Sequence, residues 1–483
     1  MIEWRDCRLG DLLEIKHGYA FLGEHFANAG THVVLTPGNF LEEGGFKEKS
    51  DKAKWYNGPI PNDYVLNEGD VLIAMTEQAE GLLGSSAIIP RSGLYLHNQR
   101  LGLVQVRDCR STDAHFLYYL FNHKPVRQQI RGSASGTKIR HTAPSRIAQV
   151  KVRVPPPGIQ RRIAGILSAY DELMENCQRR IRILEEMARA LYREWFVRFR
   201  FPGHEKVPRV NSSLGPIPQG WEAVTFTGIA DVLSGGTPKT DVPEFWDGTI
   251  PFFTPRDAPD CFYVLDTDKH TNELGLSKCA SELYPKDTVF ITARGTVGKV
   301  AMPSVPMAMN QSCYALRGKP GIPQRFLFLM TLKQVDYLKT NTGGATFDTI
   351  VVDTFRRMDV TKPPCDLIAR FAHQTDAIFE EINNLARKTE NLRRTRDLLL
   401  PRLLSGQVSL DVSAVEDVAE PTAPAPPLSQ TDLAGEEPAL RAAEEAPPYR
   451  AERAGRPGIR AKGAASSQPG ATPQVTPRKP AKG

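Results

Sequence analysis

The stretch ITARGTVGKVA (291–301) runs from an apolar segment into a glycine-rich turn that displays Arg294 and Lys299. Such a pair suits two chemistries. One is a nucleotide-phosphate loop, which needs a leading glycine and a Ser or Thr directly after the lysine to hold magnesium. Ala293 stands in place of that glycine and Val300 in place of the hydroxyl, so this chemistry fails. The other is contact with nucleic acid. An arginine grips guanine O6 and N7 with two parallel bonds, and a lysine suits a phosphate. Further candidates stand in loops of the same kind. KEKSDKAK (47–54) offers Lys47, Lys49, Lys52 and Lys54, and Arg100 follows the pair Asn98 and Gln99. RGSASGTKIRH (131–141) carries Lys138 and Arg140 in a Gly/Ser loop that lets backbone approach a ligand. Lys239 and Thr240 close SGGTPKT (234–240), and Arg256 stands in FFTPRD (252–257). Asn98, Gln99, Asn310 and Gln311 recur at matched positions, equally fit to cap a turn or to touch a base edge.

No catalytic pattern accompanies these residues. No GxGxxG follows a strand, no DPPY- or NPPF-type methyltransferase motif occurs, and no Ser, Cys or His has the context of a nucleophile. The ten histidines lack HExxH spacing, and the seven cysteines form no CxxC pair. Neither a metal site nor a disulfide framework is expected, and the chain reads as a binder without a cofactor of its own. A hydrophobic fraction of 41% with no long apolar run excludes a helical membrane span. The start, MIEWRDCRLG, lacks a secretory pattern, so a cytoplasmic location is expected. A net charge of +6 permits an anionic partner without demonstrating one.

The elements that position these residues occur twice. WRDCRLGDLLEIKHG from Trp4 aligns with WEAVTFTGIADVLSGG from Trp221, an offset of 217 residues. The offset falls to 212 at HNQ over MNQ, to 210 at FLYYL over FLFLM, and to 208 at the closing Pro156 and Pro364. Each copy reads as mixed α/β, with short β-rich runs such as 70–75 and 101–106 and a helix at 114–121.

A long amphipathic helix follows each copy. The first seam includes Ile163, Tyr170, Leu173, Ile181, Leu184 and Leu191, and its helix should reach roughly 55 Å. The second includes Phe371, Ile378, Ile382, Leu385, Leu392, Leu399 and Leu403, at alternating steps of four and three. Two such seams are expected to pair antiparallel, holding the domains at opposite ends. The expected fold is therefore α+β: two similar recognition domains (1–155 and 217–363), spacer helices (156–203 and 364–407), a linker (204–216), and a disordered tail (408–483) rich in Ala, Pro, Glu and Arg.

WFVRFRFPG with SSLGPIPQGW, then SGGTPKT and FWDGTIPFFTPRD, NQS, GGATF and LLPRLLSGQ, occur in this order over nearly 400 residues. In them the chain resembles the DNA-specificity subunit of type I restriction-modification systems. The resemblance implies a non-catalytic, pseudo-two-fold protein that reads a bipartite site on double-stranded DNA. It implies partners as well: two methyltransferase subunits on the helices, using S-adenosylmethionine to methylate adenine, and two motor-nuclease subunits using ATP and magnesium. The residues alone leave two other classes open, a duplicated coiled-coil scaffold without DNA specificity and a stand-alone nuclease or methyltransferase with an unrecognised site. Activity of the purified chain alone would favour the last.

Overall fold

A computed structural model describes residues 4–49, 52–77, 81–136, 140–341, 349–408 and 410. Both domains are closed by pairing their own first and last strands. Arg5–Arg8 runs antiparallel to Lys151–Val154, and Glu222–Thr225 to Asp359–Lys362. The first domain holds a four-stranded antiparallel sheet in the order Leu13–His17, Leu101–Val106, Val71–Ala74, Ser86–Ile88. The second repeats it as Ala230–Ser234, Cys313–Gly318, Val289–Thr292, Val300–Pro303, and adds Tyr263–Val264 at one edge. Even the register is kept, since Leu13 faces Val106 as Ala230 faces Gly318. Beside each sheet lies a smaller one with a parallel pairing, Val34 opposite Leu96 and Phe252 opposite Ala308.

Prolines end each closing strand and begin each spacer helix. Pro157 occupies the first turn, where a missing N–H leaves no helical bond unmade. The first spacer helix is Pro157–Tyr192, about 54 Å long, and the second is Cys365–Leu404, about 60 Å. They run antiparallel: Leu403 and Leu404, at the end of the second, pack with Ile159, Ile163 and Leu167, at the start of the first. At the other end Phe371 meets Tyr192, Trp195 and Phe196. A π-helical turn, Arg193–Val197, lets the consecutive Trp195 and Phe196 both be buried. Trp221 then lies against Phe196, Phe199 and Phe201. The segment expected as a linker contains a hairpin, Arg209–Ser212 with Gly215–Pro218.

The second seam follows the sequence pattern: Phe371, Ile382, Leu385 and Leu403 are buried, and Ile378, Leu392 and Leu399 half-buried. The first departs from it. Ile163 and Ile181 are buried and Tyr170, Leu184 and Leu191 half-buried, but Leu173 is 47% exposed. Met174 is buried in its place, and Ala188 in place of the exposed Met187. The buried Leu167, Met174, Ile181, Ala188 and Trp195 stand seven residues apart, so the stripe keeps heptad spacing with Met174, not Leu173, in the seam. Glu185 also sits on this stripe, accepting a bond from the Phe262 N–H (2.7 Å) and pairing with Arg189 (3.1 Å).

Polar contacts fix the domains to the helices. In the first domain the Tyr119 hydroxyl donates to Asp171 (2.7 Å), which pairs with Arg396 of the facing helix (2.6 Å). Burial and the Asp171 carboxylate push the Tyr119 phenol well above its ordinary range, so it remains a donor. In the second domain Arg325 reaches Asp287 (3.1 Å), Asp376 (2.9 Å) and Glu380. Arg387 donates to the Ser304 carbonyl (2.7 Å). The tail from residue 411 lies outside the described residues; before it, Val408 and Leu410 pack against the first domain's core. All seven cysteines are free. No described helix is long and apolar enough to cross a membrane.

Replacing Asp171 by Asn leaves the Arg396 guanidinium on the seam with Asp397 of its own helix alone (2.8 Å) and weakens the acceptor of the Tyr119 hydroxyl. A loss of about 1.5–3 kcal/mol is expected, the range for hydrogen bonds to charged groups. Asp376→Asn, at a half-exposed position where Arg325 keeps two other carboxylates, should cost less than about 1 kcal/mol. Urea titration of both variants checks the order, and equal losses would show that the Asp171 contact is not a structural joint.

Candidate nucleic-acid interface

The sheet topology brings the loop residues of each domain to one end. In the second domain, Ala230–Ser234 and Val289–Thr292 both run antiparallel to Cys313–Gly318. The loops that leave the first two and the turn that enters the third therefore emerge together. Ile250–Phe253 joins them, because the Asn310 N–H donates to the Phe253 carbonyl (2.9 Å). The Ala293 and Arg294 N–H groups both donate to the Ser312 carbonyl (2.8 and 3.3 Å), and Thr237 donates its hydroxyl to Gln311. Lys239, Thr240, Arg256, Arg294 and Lys299 thus stand on loops of one sheet end.

The first domain is built alike. Its cluster consists of the loop after His17, the turn at Asn98, the loop after Ala74 and the turn after Val34. Arg140 joins through the Glu77 N–H to Arg140 carbonyl bond (2.9 Å), and Lys47 through its N–H to the Asn39 carbonyl (2.7 Å). Gly18 and Gly235 show why the cluster is tight. A Cβ on either would overlap the carbonyl of Asn98 or Asn310, so only glycine admits the crossing.

Asn98 and Asn310 prove to be turn builders. Their side-chain oxygens accept from the Arg100 and Ser312 N–H groups, 3.0 Å in each copy. A second duplicated turn was hidden in the sequence as TPGN and TPRD. In Thr36–Asn39 the Thr36 N–H and hydroxyl donate to the Asn39 side-chain oxygen (3.0 and 3.1 Å). In 254–257 the Thr254 N–H and hydroxyl donate to Asp257 (2.8 and 2.6 Å). The shared tetrapeptide pattern was the signal that could have found it.

The cations differ in how free they are. Lys47, Lys52, Lys54, Arg100, Arg140, Lys239, Arg256 and Arg294 are exposed, as is Thr240, while Lys49 and Lys299 are half-buried. Lys299 pairs with Asp260, and Glu77 holds Arg131 (3.3 Å) and lies 3.9 Å from Arg140. The Lys54 ammonium sits 6.0 Å over the Phe26 ring. No ion pair to a described residue holds Lys49, Arg256 or Arg294. Lys138 and the GGATF segment lie outside the described residues. Among the described residues no group of acidic, His or Cys side chains could hold a metal. What this arrangement can do is present cation-bearing loops to a polyanion.

Beneath the first cluster His97 is fully buried. One ring nitrogen bonds the Leu101 carbonyl (2.9 Å), and Nδ1 meets no partner among the described residues. Burial pulls its pKa down to about 4. Met309 takes the corresponding place in the second domain.

The sequence matches the family described as "Type I restriction modification DNA specificity domain" over residues 1–186 and 218–391. The MjaIX type I restriction enzyme specificity subunit of Methanocaldococcus jannaschii is 26% identical over 41% of this chain and 46% of its own length. The HindI specificity subunit of Haemophilus influenzae is 24% identical over 58% of this chain and 74% of its own. The crystal structure of a type I restriction-modification S subunit from M. genitalium shares the fold, with a TM-score of 0.55 at 17% identity, covering 83% of this chain and 96% of that one.

Two outcomes are expected of this geometry. The depressed His97 pKa means that the unfolded chain binds the proton first, so stability present above about pH 6.5 is lost as pH falls towards about 4. His97→Met should flatten that part of the first domain's melting-temperature profile; an unchanged profile would clear His97 of the acid sensitivity. Separately, Arg294→Ala should relax the choice at one base of a randomised duplex, removing about 1–3 kcal/mol of discrimination. Lys299→Ala should weaken binding to all sequences alike, with less than one unit of salt slope because Asp260 already shares its charge. A preference profile identical to wild type would remove Arg294 from the base-reading set.

Proposed function

The chain belongs to the type I restriction-modification DNA specificity family, and we propose that it is the non-catalytic subunit that reads a bipartite DNA sequence, one half-site per domain. The observation that carries this reading is the duplicated loop cluster, one copy on each of two domains held at opposite ends of an antiparallel helix pair. Readers that approach one side of a duplex need half-sites a whole number of helical turns apart. Half-sites about one helical turn apart, ~34–36 Å centre to centre, meet that condition.

The chain binds no cofactor of its own in this reading. Two methyltransferase subunits dock on the helices and use S-adenosylmethionine; two motor-nuclease subunits use ATP and magnesium. Leu173, Ile183 and Met187, exposed on the first spacer helix, support a partner on that face. Free cysteines throughout suit a reducing cytoplasm.

Closure of each domain by its own first and last strands makes the two readers separable. Exchanging residues 1–155 for those of a relative should change one half-site and leave the other intact. Mapping methylated adenines genome-wide, with the native chain, with the exchange and without the chain, reads this directly. A motif that changes in both halves would sink the two-reader arrangement, and a methylation map indifferent to the chain would sink the function itself.

A further inference from the structure

The duplicated Thr-Pro turn carries a difference that its shared geometry makes meaningful. Position 38 is glycine in the first domain; its counterpart in the second is Arg256. The space over Gly38 is not empty. A Cβ there would lie 2.5 Å from the Lys49 ammonium, so the lysine from the neighbouring basic run occupies the region into which a side chain at 38 would project. Both domains therefore hold one cation at the same corner, beside the turn that follows the strand ending at Val34 or Phe253. The residue that supplies it differs, and so does the point on the backbone from which it comes.

We propose that Lys49 and Arg256 make the same contact twice, each gripping a DNA phosphate at its own half-site and setting that domain's register on the duplex. This rests on the DNA-reading function proposed above. Base readout depends on side-chain shape: an arginine fork matches guanine, and a lysine placed from another backbone point does not reproduce it. A phosphate asks only for positive charge at a place. A site that conserves the turn and the charge while changing the side chain fits the second demand. The absence of an ion pair between either cation and a described residue fits it too, in contrast to Lys299 with Asp260. Two domains that read unlike half-sites must differ where they touch bases, and can agree where they touch the backbone common to all DNA.

The test uses the full chain with a random-sequence duplex of about four helical turns, titrated over a range of salt. Lys49→Ala and Arg256→Ala should each reduce the slope of log affinity against log salt by about one, and the double variant by about two. The methylated motif of cells carrying either variant should be unchanged in sequence. Gly38→Arg combined with Lys49→Ala should restore the lost slope, because it rebuilds the second domain's arrangement in the first; Gly38 does not have a positive φ, so the backbone accepts a side chain. Slopes equal to wild type in both single variants overturn the proposal, as does a changed base in the motif. Failure of the Gly38→Arg rescue overturns the equivalence of the two corners. If the wild-type chain itself shows no salt-dependent DNA binding and directs no methylation, it is the DNA-reading function that fails.

Discussion

Each domain depends on a helix end that the other domain delivers. The core of the first contains Leu403 and Leu404, which arrive from the far end of the second spacer helix, and Gly406 closes against the Trp4 indole. The core of the second contains Tyr192, Trp195 and Phe196, brought by the helix that leaves the first domain. Burying these groups is worth about 1.5–3 kcal/mol for each large side chain. The chain therefore closes into a ring of domain, helix, domain, helix. Independent motion of either domain would expose part of its own core. That constraint turns two loop clusters on separate sheets into one rigid pair of readers.

The duplication separates what must stay from what can change. Strand register, the glycine crossings at Gly18 and Gly235, the Asn98 and Asn310 turns and the Thr-Pro turns are common to both copies. They are backbone devices, and they fix where loops emerge. The side chains on those loops differ: Arg294 has no cationic match in the first domain's MTEQ (75–78) segment, and of the basic run at 47–54 Lys54 is matched by Lys269, each carbonyl accepting at 2.9 Å from the Val34 or Phe252 N–H, while Lys49 is answered from another backbone point by Arg256. A scaffold that holds the sheet end constant while its loops vary can serve two unlike half-sites from one fold.

The repeat, the mixed α/β class and the antiparallel seams were legible because burial leaves a periodic trace. Ile382 and Leu385 could be placed from spacing alone. Leu173 could not, because Met174 beside it is also apolar, and a one-residue choice of heptad frame decides which is covered. Glu185, Asp171 and Tyr119 were invisible for a different reason. A buried charge looks like a surface charge in a sequence until its partner is known, and the Glu185 partner is a backbone N–H far along the chain, at Phe262. The loop cations could be named but not ranked. Only the fold shows that Lys299 is paired while Lys49 stands over Gly38.

The apolar seam by itself does not fix the length of the ruler. A pattern repeating every seven residues packs nearly as well after a slip of one heptad, about 10.5 Å, which corresponds to about three base pairs along DNA. Polar residues remove that freedom. Arg396 sits on the second seam and meets Asp171 at 2.6 Å, and Arg180 meets Glu381 at 2.6 Å further along. A slip would leave the half-buried Arg396 with Asp397 of its own helix alone (2.8 Å) and would break the charge-assisted bond to Asp171, worth about 1.5–3 kcal/mol. The same Asp171 accepts from Tyr119 of the first domain. One carboxylate thus joins the register of the helix pair to the seating of a reader. The Asp171 and Arg396 layer fixes the register of the helix pair, while the leucines and isoleucines on either side supply stability with little preference for one register over the next.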